Sequence, residues 1–336
     1  MANRRIATID VGTNTILLLI AELDEDGAFR VLTDRAEIAR FGEGVDRTRS
    51  LSAAGVERAL EVLREYLQAC RNFGVEEIAA AGTSALRDAL NAKSFLARLK
   101  HEFKLDLRVL SGREEAAYSY LAVQKGLQLD AQDVLVVDVG GGSTEFIWAK
   151  DGKLHGWASL DVGSVRLTER FLASDPARRE ECDRLIQTVD QSLGKLLADW
   201  GALRQAQGRS LRQAQGESNR PAMVGIAGTF TTLSAVEKGL THYSHSEVHG
   251  SRLTRAEVER QVELYRASTI AERKRIPGLE PKRADVILAG ALVIQRIMTL
   301  FDIDEAIVSD QGIRYGLLYE RIANKRSAIG HQQRNS

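Results

Sequence analysis

The fold of this chain is decided by residues 134–144, which read VLVVDVGGGST. Residues 6–14 follow the same design and read IATIDVGTN. Each stretch is a run of β-branched and aliphatic residues, typical of a buried strand, that ends in Asp-Val-Gly and a tight turn of small residues. Three glycines let the backbone at 140–142 approach a phosphate closely and direct N–H groups at its oxygens. The repeat predicts two similar domains that each offer a turn to phosphate.

Length and charge limit the classes of protein to consider. A chain of 336 residues is longer than one hydrophobic core usually serves, so two domains are expected. The 46 basic and 46 acidic residues balance, which removes any general electrostatic case for nucleic acid or a membrane surface as partner. This balance does not exclude an anionic substrate, because a turn of N–H groups binds phosphate without net charge.

Cysteine content and apolar runs indicate a cytoplasmic protein. Cys70 and Cys182 are the only cysteines, and both lie in segments of helical periodicity, as buried thiols of a reducing compartment do. The longest apolar run, residues 16–21, is far shorter than the roughly 20 residues that span a bilayer. The N-terminus enters a strand pattern by Ile6, so no signal peptide is expected.

The order of the predicted elements favours an α/β fold with mixed sheets. Residues 5–40 and 134–160 each read as strand, turn, strand, turn, strand, and strands alternating with helices follow. Helices are predicted over residues 84–99 and 282–301, whereas the His-rich segment 241–250 is predicted to be a loop. Residues 203–218 are a polar tandem repeat of eight residues, interpreted as a tolerated surface insertion.

The second turn carries the densest set of candidate binding groups. The backbone of Gly140–Gly142 offers N–H groups, and Ser143 and Thr144 add hydroxyl donors. Asp138 ends a buried strand, where a carboxylate can hold a divalent cation directly or through water. Glu145 occupies a strand position, where glutamate is disfavoured, and this indicates a role beside the metal or the phosphate. The alternative is a glycine-rich hairpin without a ligand, although three glycines exceed what a hairpin needs.

Three further segments have weaker signals. Turns like Asp10-Val-Gly-Thr-Asn are common between strands, so this motif alone is weak evidence for a phosphate site. Its likeness to the second turn strengthens that evidence. Gly228-Thr229 lies where a strand meets a helix, so its N–H groups could face an anion or a ribose, or form an ordinary N-cap. Arg87 lies one helical turn after Thr83-Ser84, where a guanidinium could bind a phosphate through two nitrogens or remain solvated beside a cap.

Two clusters of titratable residues remain. Glu114 and Glu115 begin a helix just before the second copy, where a carboxylate could act as general base on a water aimed at phosphorus. Two acids in a first turn also stabilise the helix dipole, and the residues alone favour that explanation. His242, His245 and His249 have a spacing found in metal sites, but their loop carries no cysteine, so a metal site is not predicted.

Seven motifs, taken in order along nearly the whole chain, resemble the Ppx/GppA phosphatase family. This family contains exopolyphosphatases and guanosine pentaphosphate phosphohydrolases, and it belongs to the actin, hexokinase and acetate kinase superfamily. No single motif is decisive, but the ordered set is specific. The motifs are Asp10-Val-Gly-Thr-Asn-Thr, Gly82-Thr-Ser-Ala-Leu-Arg87, Ser111-Gly-Arg-Glu-Glu115-Ala, Val137-Asp-Val-Gly-Gly-Gly-Ser-Thr-Glu145, Leu160-Asp-Val-Gly-Ser-Val-Arg166, Gly225-Ile-Ala-Gly-Thr-Phe-Thr-Thr232 and Ser309-Asp-Gln-Gly-Ile-Arg314.

The resemblance implies a fold of two ribonuclease-H-like domains of the actin-like ATPase type. Each domain would have a mixed sheet flanked by helices, with the active site in the cleft between them. The N-terminal domain would comprise residues 1–124 plus a closing helix at about 311–330, and the C-terminal domain residues 125–310.

The resemblance also implies a hydrolase that removes a terminal phosphate with an activated water. The substrate would be inorganic polyphosphate or guanosine pentaphosphate (pppGpp), which would become ppGpp, and the cofactor would be Mg²⁺, with Mn²⁺ as the alternative. Glu115, the second Glu of the Ser-Gly-x-Glu-Glu motif, would be the general base, and Asp10, Asp138 and Glu145 would bind the metal. The residues that would bind phosphate or nucleotide are Thr13, Asn14, Arg87, Gly140, Gly141, Gly142, Ser143, Thr144, Gly228 and Thr229.

Two other functions stay open from the sequence. One is a phosphotransferase that moves phosphate between polyphosphate and a nucleotide. The other is a non-catalytic phosphate or nucleotide sensor, against which the presence of Glu115, Asp138 and Glu145 argues. The family also suggests a homodimer. The chain ends short of the C-terminal helical domains of longer members, which leaves processive action on long chains open.

Overall fold

A computed structural model of the chain describes residues 4–24, 27–129, 133–206 and 221–332. The chain divides into two compact units, the first formed by Met1–Lys125 with Gln311–Ser336 and the second by Gly126–Asp310. Each unit therefore has its own hydrophobic core, and the first unit is completed by the C-terminal part of the chain.

Eleven strands and thirteen α-helices make up the described part of the chain. The strands are β1 Arg4–Val11, β2 Thr15–Leu23, β3 Phe29–Ile38, β4 Glu77–Gly82, β5 Leu107–Val109, β6 Asp133–Val139, β7 Thr144–Lys150, β8 Lys153–Leu160, β9 Ala222–Ile226, β10 Arg252–Thr254 and β11 Glu305–Val308. The helices are α1 Val45–Thr48, α2 Ala53–Asn72, α3 Ser84–Asp88, α4 Ala92–Phe103, α5 Gly112–Gly126, α6 Ser164–Phe171, α7 Arg179–Ala206, α8 Ala227–Glu237, α9 His245–Val248, α10 Arg255–Ala267, α11 Ile270–Arg273, α12 Ile287–Leu300 and α13 Ile313–Gln332.

The sheet of the first unit has the order β3-β2-β1-β4-β5. β1, β2 and β3 form an antiparallel meander, and β4 and β5 continue the sheet parallel to β1. The change from antiparallel to parallel pairing reflects the sequence, because short turns join the first three strands and helices join the later ones. The sheet carries helices such as α2, whose N-cap Ser52 accepts a hydrogen bond from the Gly55 N–H at 3.1 Å, as predicted.

The helix predicted over residues 84–99 is wrong in one respect, because it is broken into α3 and α4. Ala89 is extended, and the Leu90 N–H donates to the carbonyl of Arg49 at 2.8 Å instead of continuing the helix. The Asn91 side chain accepts from the Leu51 N–H at 2.8 Å and donates to the Leu51 carbonyl at 3.0 Å. Pairing with this distant segment therefore replaces the local helical hydrogen bonds, which periodicity alone does not reveal.

The second unit repeats the arrangement with a sixth strand. Its order is β10-β11-β9-β6-β7-β8, in which β6, β7 and β8 form an antiparallel meander and β9 lies parallel to β6. The two mixed sheets flanked by helices confirm the predicted α/β class. This unit is built around α12, of whose fourteen residues ten are buried. Residues 282–286, predicted as part of that helix, precede it, because Pro281–Arg283 form a separate 3-10 turn.

Two other predicted segments complete the description. The His-rich segment is not wholly a loop, since α9 lies within it. The tandem repeat at 203–218 lies mostly outside the described residues, which resume at 221 after Ala206. Over the ranges that the structure covers, none of the helices has an apolar stretch long enough to cross a bilayer.

Candidate active site residues

The two Asp-Val-Gly turns have the same backbone design. In the first, the Gly12 N–H donates to the Thr15 carbonyl at 3.0 Å, and in the second the Gly140 N–H donates to the Ser143 carbonyl at 3.0 Å. β1 and β2 flank the first turn as β6 and β7 flank the second, with equivalent pairings of residues. The sequence repeat is therefore a structural repeat, and positions in the two turns can be compared one by one.

The carbonyl groups of the second turn point back into the protein, towards the start of α6. The donors are the N–H groups of Ser164 and Val165 and the Arg166 side chain, and the bonds are Ser164 N to Gly140 O at 2.9 Å, Val165 N to Gly141 O at 2.9 Å and Arg166 Nε to Gly142 O at 2.6 Å. In a trans peptide the carbonyl and the following N–H point in opposite directions. The N–H groups of Gly141, Gly142 and Ser143 therefore point away from α6.

These three N–H groups form what we call the glycine cradle, defined by residues 140–143. None of the described residues accepts a hydrogen bond from the N–H groups of Gly141 or Gly142. Successive backbone N–H groups aimed at one side of a turn form an anion-binding concavity. The geometry thus fits the predicted role of Gly140–Gly142 in phosphate binding.

The hydroxyl groups of the second turn, predicted to donate to phosphate, have protein partners in this structure. Ser143 Oγ donates to the Glu145 carboxylate at 2.7 Å. Thr144 is fully buried and its hydroxyl donates to the Val162 carbonyl at 2.8 Å. Both side chains therefore help to hold the turn in place.

Asp138 and Glu145 lie directly opposite each other on β6 and β7. Directly opposite residues of an antiparallel pair have side chains on the same face of the sheet. Glu145 is buried, and it accepts hydrogen bonds from Ser143 Oγ and from Ser159 Oγ at 2.8 Å. Two carboxylates on one face beside a turn suited to phosphate are oxygen ligands of the kind that magnesium uses.

The first turn is supported in a similar way but holds different side chains. The Gly42 N–H donates to the Thr13 carbonyl at 2.8 Å, and the Arg40 N–H donates to the Asn14 carbonyl at 2.9 Å. Thr13 and Asn14 are both buried, and Thr13 Oγ1 shares a hydrogen bond of 2.9 Å with Ser84 Oγ. The Thr13 hydroxyl, predicted to bind phosphate, is thus engaged with the start of α3.

Asp10 is the most unusual group of the first turn. The residue is only 7% exposed, and within the part of the chain that the structure describes its Oδ1 atom has no hydrogen-bond partner. Burial raises the pKa of Asp10 to about 7, and the nearby Arg314 guanidinium opposes this rise. A buried carboxylate oxygen without a partner is costly, and a bound cation would supply the missing partner. This observation fits the predicted role of Asp10 as a metal ligand.

The two adjacent glutamates at the start of α5 have separate roles. Glu114 is partly exposed, and it accepts from the Ser111 N–H at 2.8 Å and from the Arg108 side chain. The bond from the Ser111 backbone, followed by Arg108, lowers the pKa of Glu114 to about 2. Glu115 is only 4% exposed and forms an ion pair with Arg87. The capping explanation therefore applies to Glu114 and leaves Glu115 available for another role.

Arg87 joins Glu115 to the end of β5. Its Nη1 atom donates to the Leu110 carbonyl at 2.9 Å as well as to the Glu115 carboxylate. The structure therefore brings the predicted phosphate ligand together with the predicted base. A buried carboxylate is stabilised by such a charged donor.

Gly228 and Thr229 lie at the N-terminus of α8. Thr229 is buried and its hydroxyl donates to the Val139 carbonyl at 3.0 Å, so it supports the end of β6. The guanidinium of Arg283 lies directly against Gly228, where a Cβ atom would come within 2.2 Å of Nη1. Burial lowers the pKa of Arg283. Sequence reasoning missed Arg283, because nothing in its local pattern indicates a contact 55 positions away.

Among the residues that the structure describes, no group of three or more His, Cys, Asp or Glu side chains is gathered as a metal site. His245 and His249 both contact the Asp310 carboxylate, the latter at 3.1 Å. Two of the three histidines of the metal-like spacing thus pair with a single carboxylate.

A model of the Ppx/GppA phosphatase family matches residues 19–325. The chain belongs to the Ppx/GppA phosphatase family. It is similar to exopolyphosphatase 2 of Mycobacterium tuberculosis, with 32% identity over 94% of this chain and 98% of that protein. It is also similar to the Ppx/GppA family member of Aquifex aeolicus, whose crystal structure matches with 34% identity, a TM-score of 0.76, and coverage of 96% of this chain and 98% of that chain.

Two relatives are longer than this chain. The bifunctional 3-dehydroquinate synthase/phosphatase of Fusobacterium nucleatum is 31% identical over 95% of this chain, which spans 47% of that protein. The guanosine-5'-triphosphate,3'-diphosphate pyrophosphatase of Vibrio atlanticus is 26% identical over 94% of this chain and 59% of its own length. The matches confirm the predicted family and the predicted class of enzyme, a hydrolase of phosphoanhydrides.

Sequence reasoning placed Gly163 and Arg166 in a family motif but did not predict their role behind the glycine cradle. Gly163 packs so closely that a Cβ atom there would lie 2.3 Å from the Gly141 carbonyl oxygen. Arg166, three residues later, holds the Gly142 carbonyl. A signal was present, because residues 161–163 are a third Asp-Val-Gly in the sequence.

Proposed function

We propose that this protein releases orthophosphate from the end of inorganic polyphosphate, or from the 5′ end of pppGpp, in a reaction that depends on Mg²⁺. The observation that carries the proposal is the glycine cradle. Its carbonyl groups are held by α6, and its N–H groups are directed away from that helix. A backbone arrangement of this kind binds a phosphate group without recognising what the phosphate is attached to. The relatives named exopolyphosphatase and guanosine pyrophosphatase support both substrates.

Glu115 is the group that we assign as general base. Its carboxylate would accept a proton from water as the water oxygen attacks the terminal phosphorus and the P–O bond to the bridging oxygen breaks. Burial supports this assignment, because a general base works best where bulk water does not compete for its proton. Arg87, which contacts Glu115, would also reach a phosphate oxygen, since a guanidinium carries five N–H donors.

Magnesium fits the acidic groups of each turn. Asp10 would bind it at the first turn, and Asp138 with the opposite Glu145 would do so at the second. When bound, the ion would supply positive charge that neutralises phosphate oxygens and stabilises the charge that develops on the leaving group. The protein groups would bind the substrate, orient it and accept the proton.

Substrate assays test the proposal directly. Purified protein would be given polyphosphate, pppGpp or ATP with Mg²⁺, and released orthophosphate would be measured with and without ADP. We expect release without ADP from polyphosphate, from pppGpp or from both. Formation of ATP only when ADP is present would instead favour the phosphotransferase, and binding without turnover would favour the sensor.

Substitution of the base gives the mechanistic test. Glu115→Gln should lower kcat by roughly 10²–10⁴-fold, the usual contribution of a general base, while substrate binding persists. Glu114→Gln is the matched control, because Glu114 immediately precedes Glu115 in the sequence but is partly exposed and caps the helix. A glutamine can also serve in such a cap, so this variant should keep its turnover. Equal turnover in the Glu115 variant and the wild type would refute the assignment.

A further inference from the structure

Arg166 is a buried arginine that contacts the backbone of the glycine cradle. It is 8% exposed and lies in the first turn of α6. Its backbone N–H donates to the Gly141 carbonyl at 3.1 Å, and its Nε donates to the Gly142 carbonyl at 2.6 Å. Asp161 Oδ1 lies 3.6 Å from Nη2, and the Asp161 side chain is 82% exposed. The guanidinium thus holds a peptide carbonyl of the glycine cradle.

A charged donor on this carbonyl fixes one peptide group of the cradle. Because peptide groups are planar and trans, holding the Gly142 carbonyl towards Arg166 directs the Ser143 N–H to the opposite side. Glycine restricts its own backbone least of all residues, so a turn of three glycines needs external contacts to keep one conformation. The positive charge also polarises the peptide, which makes the Ser143 N–H a stronger donor.

Among the described residues, no side chain donates to the equivalent carbonyl of the first turn, that of Asn14. There the Asn14 carbonyl accepts from a backbone N–H, that of Arg40. The charged side-chain donor is thus specific to the turn in which glycines replace Thr13 and Asn14. The charged donor thus occurs at the turn whose flexible glycine backbone must be held in place for an anion.

We propose that Arg166 is a positioning residue, which acts through the Gly142 carbonyl to orient the Ser143 N–H toward a bound phosphate. The inference rests on the proposed function for its effect on turnover, and it adds how the cradle keeps its shape and its donor strength. Arg166 itself need not contact the substrate.

Two substitutions of similar size test the proposal. Arg166→Met keeps an unbranched side chain but removes the donor and the charge, whereas Arg166→Lys keeps a charged donor that can reach a carbonyl. We expect kcat to fall roughly 10–100-fold in the Met variant, with a smaller change in KM, and the Lys variant to retain at least about tenfold more activity than the Met variant. Arg170→Met, an exposed position of the same helix, is the control and should keep full activity.

A second measurement separates this proposal from the proposed function. Binding of tripolyphosphate to the intact protein would be measured by calorimetry, with the melting temperature of each variant recorded beside it. If the wild type binds tripolyphosphate but does not hydrolyse it, weaker binding by the Met variant than by the Lys variant still supports the role of Arg166. If the two variants lose activity and binding equally, in step with their melting temperatures, Arg166 is only structural and the proposal is overturned. Hydrolysis that is unaffected in the Met variant overturns the proposal and leaves the proposed function intact.

Discussion

The first and second Asp-Val-Gly turns share a backbone and differ in what they present. Both close with a hydrogen bond of 3.0 Å, and both have carbonyl groups held by the segment that follows the third strand of their meander. Across the strands, however, Asp10 faces Leu17, whereas Asp138 faces Glu145. One backbone design therefore supports two tasks: the first turn buries a single acid, and the second pairs two acids beside a cradle of N–H groups.

The difference follows from the side chains within each turn. At the first turn Thr13 and Asn14 are buried, and the Thr13 hydroxyl is bonded to Ser84, so side chains fill the space beside the backbone. At the second turn Gly141 and Gly142 have no side chains to fill that space, although Gly142 is itself buried. The glycines in turn require firm support, which the start of α6 provides.

Among the substitutions that test this comparison of the two turns, the largest expected effect comes from adding one methyl group behind each turn. In Gly163→Ala, Cβ would lie 2.3–2.4 Å from backbone atoms of Gly141 and Gly142, so the cradle itself must move. In Gly42→Ala, Cβ would lie 2.5 Å from Thr13 Cγ2 and 2.9 Å from Ala85 Cβ, so the nearest atoms belong to side chains and not to the backbone of the turn. We expect kcat/KM to fall about 100-fold or more for Gly163→Ala and about tenfold or less for Gly42→Ala, because displacement of a binding group by about 1 Å has effects of this size.

Steady-state kinetics on folded protein would decide this prediction. Circular dichroism and melting temperatures must first show that both variants are folded. If the two alanine variants lost activity to the same extent, the two turns would be equally important to binding, and the comparison between them would be wrong.

The next effect concerns the helix behind the first turn. α13 packs against β1, where Thr8 Oγ1 donates to the Arg314 carbonyl at 2.8 Å, and it meets α5 at Gly316. A Cβ atom at Gly316 would lie 2.2 Å from the Tyr118 carbonyl oxygen, so alanine would push apart the helix that carries Glu115 and the helix that supports the first turn. We expect Gly316→Ala to lower the free energy of unfolding by about 3 kcal/mol, at the upper end of overpacking costs.

Gly312→Ala is the control for this substitution. No atom lies within 4 Å of a Cβ atom at Gly312, and the position immediately precedes α13. The loss there should stay below about 1 kcal/mol, the usual cost of alanine at a helix N-cap. Chemical denaturation of both variants gives the comparison, and equal losses would show that the close approach at Gly316 is not what holds the helices together.

Much of this arrangement could be predicted from the sequence, because the signals were local. The strands around Asp10 and Asp138 are continuous aliphatic runs, and the capping residue Ser52 indicates the start of α2. The break between α3 and α4 could not be predicted, since it depends on Asn91 pairing with Leu51, 40 positions away. Local patterns predict elements, and long-range hydrogen bonds decide where they end.

The candidate site shows the same division. The glycines of the cradle were evident from their spacing, whereas the hydrogen bonds from the Ser143 hydroxyl to Glu145 and from the Thr144 hydroxyl to Val162 were not. A hydroxyl can donate in several directions, so composition alone does not tell which partner it takes. Arg87 and Glu115 were predicted for separate roles, and only the tertiary structure pairs them.

The smallest effect tests the acid of the first turn through pH. The folded pKa of Asp10 is about 7, above the ordinary value of 3.8, so the folded protein disfavours the charged form. Stability from this group is therefore lost as pH rises from about 3.8 to about 7, and the loss is complete above about pH 7.

Asp10→Asn carries no charge, so in EDTA its melting temperature should exceed that of the wild type by a few degrees at pH 8 and match it near pH 4. Added Mg²⁺ should stabilise the wild type more than Asp10→Asn, since a cation would supply the partner that Oδ1 lacks. A difference in melting temperature that does not change with pH would mean that Asp10 is not a buried acid under strain, and the contrast between the two turns would then rest on their glycines alone.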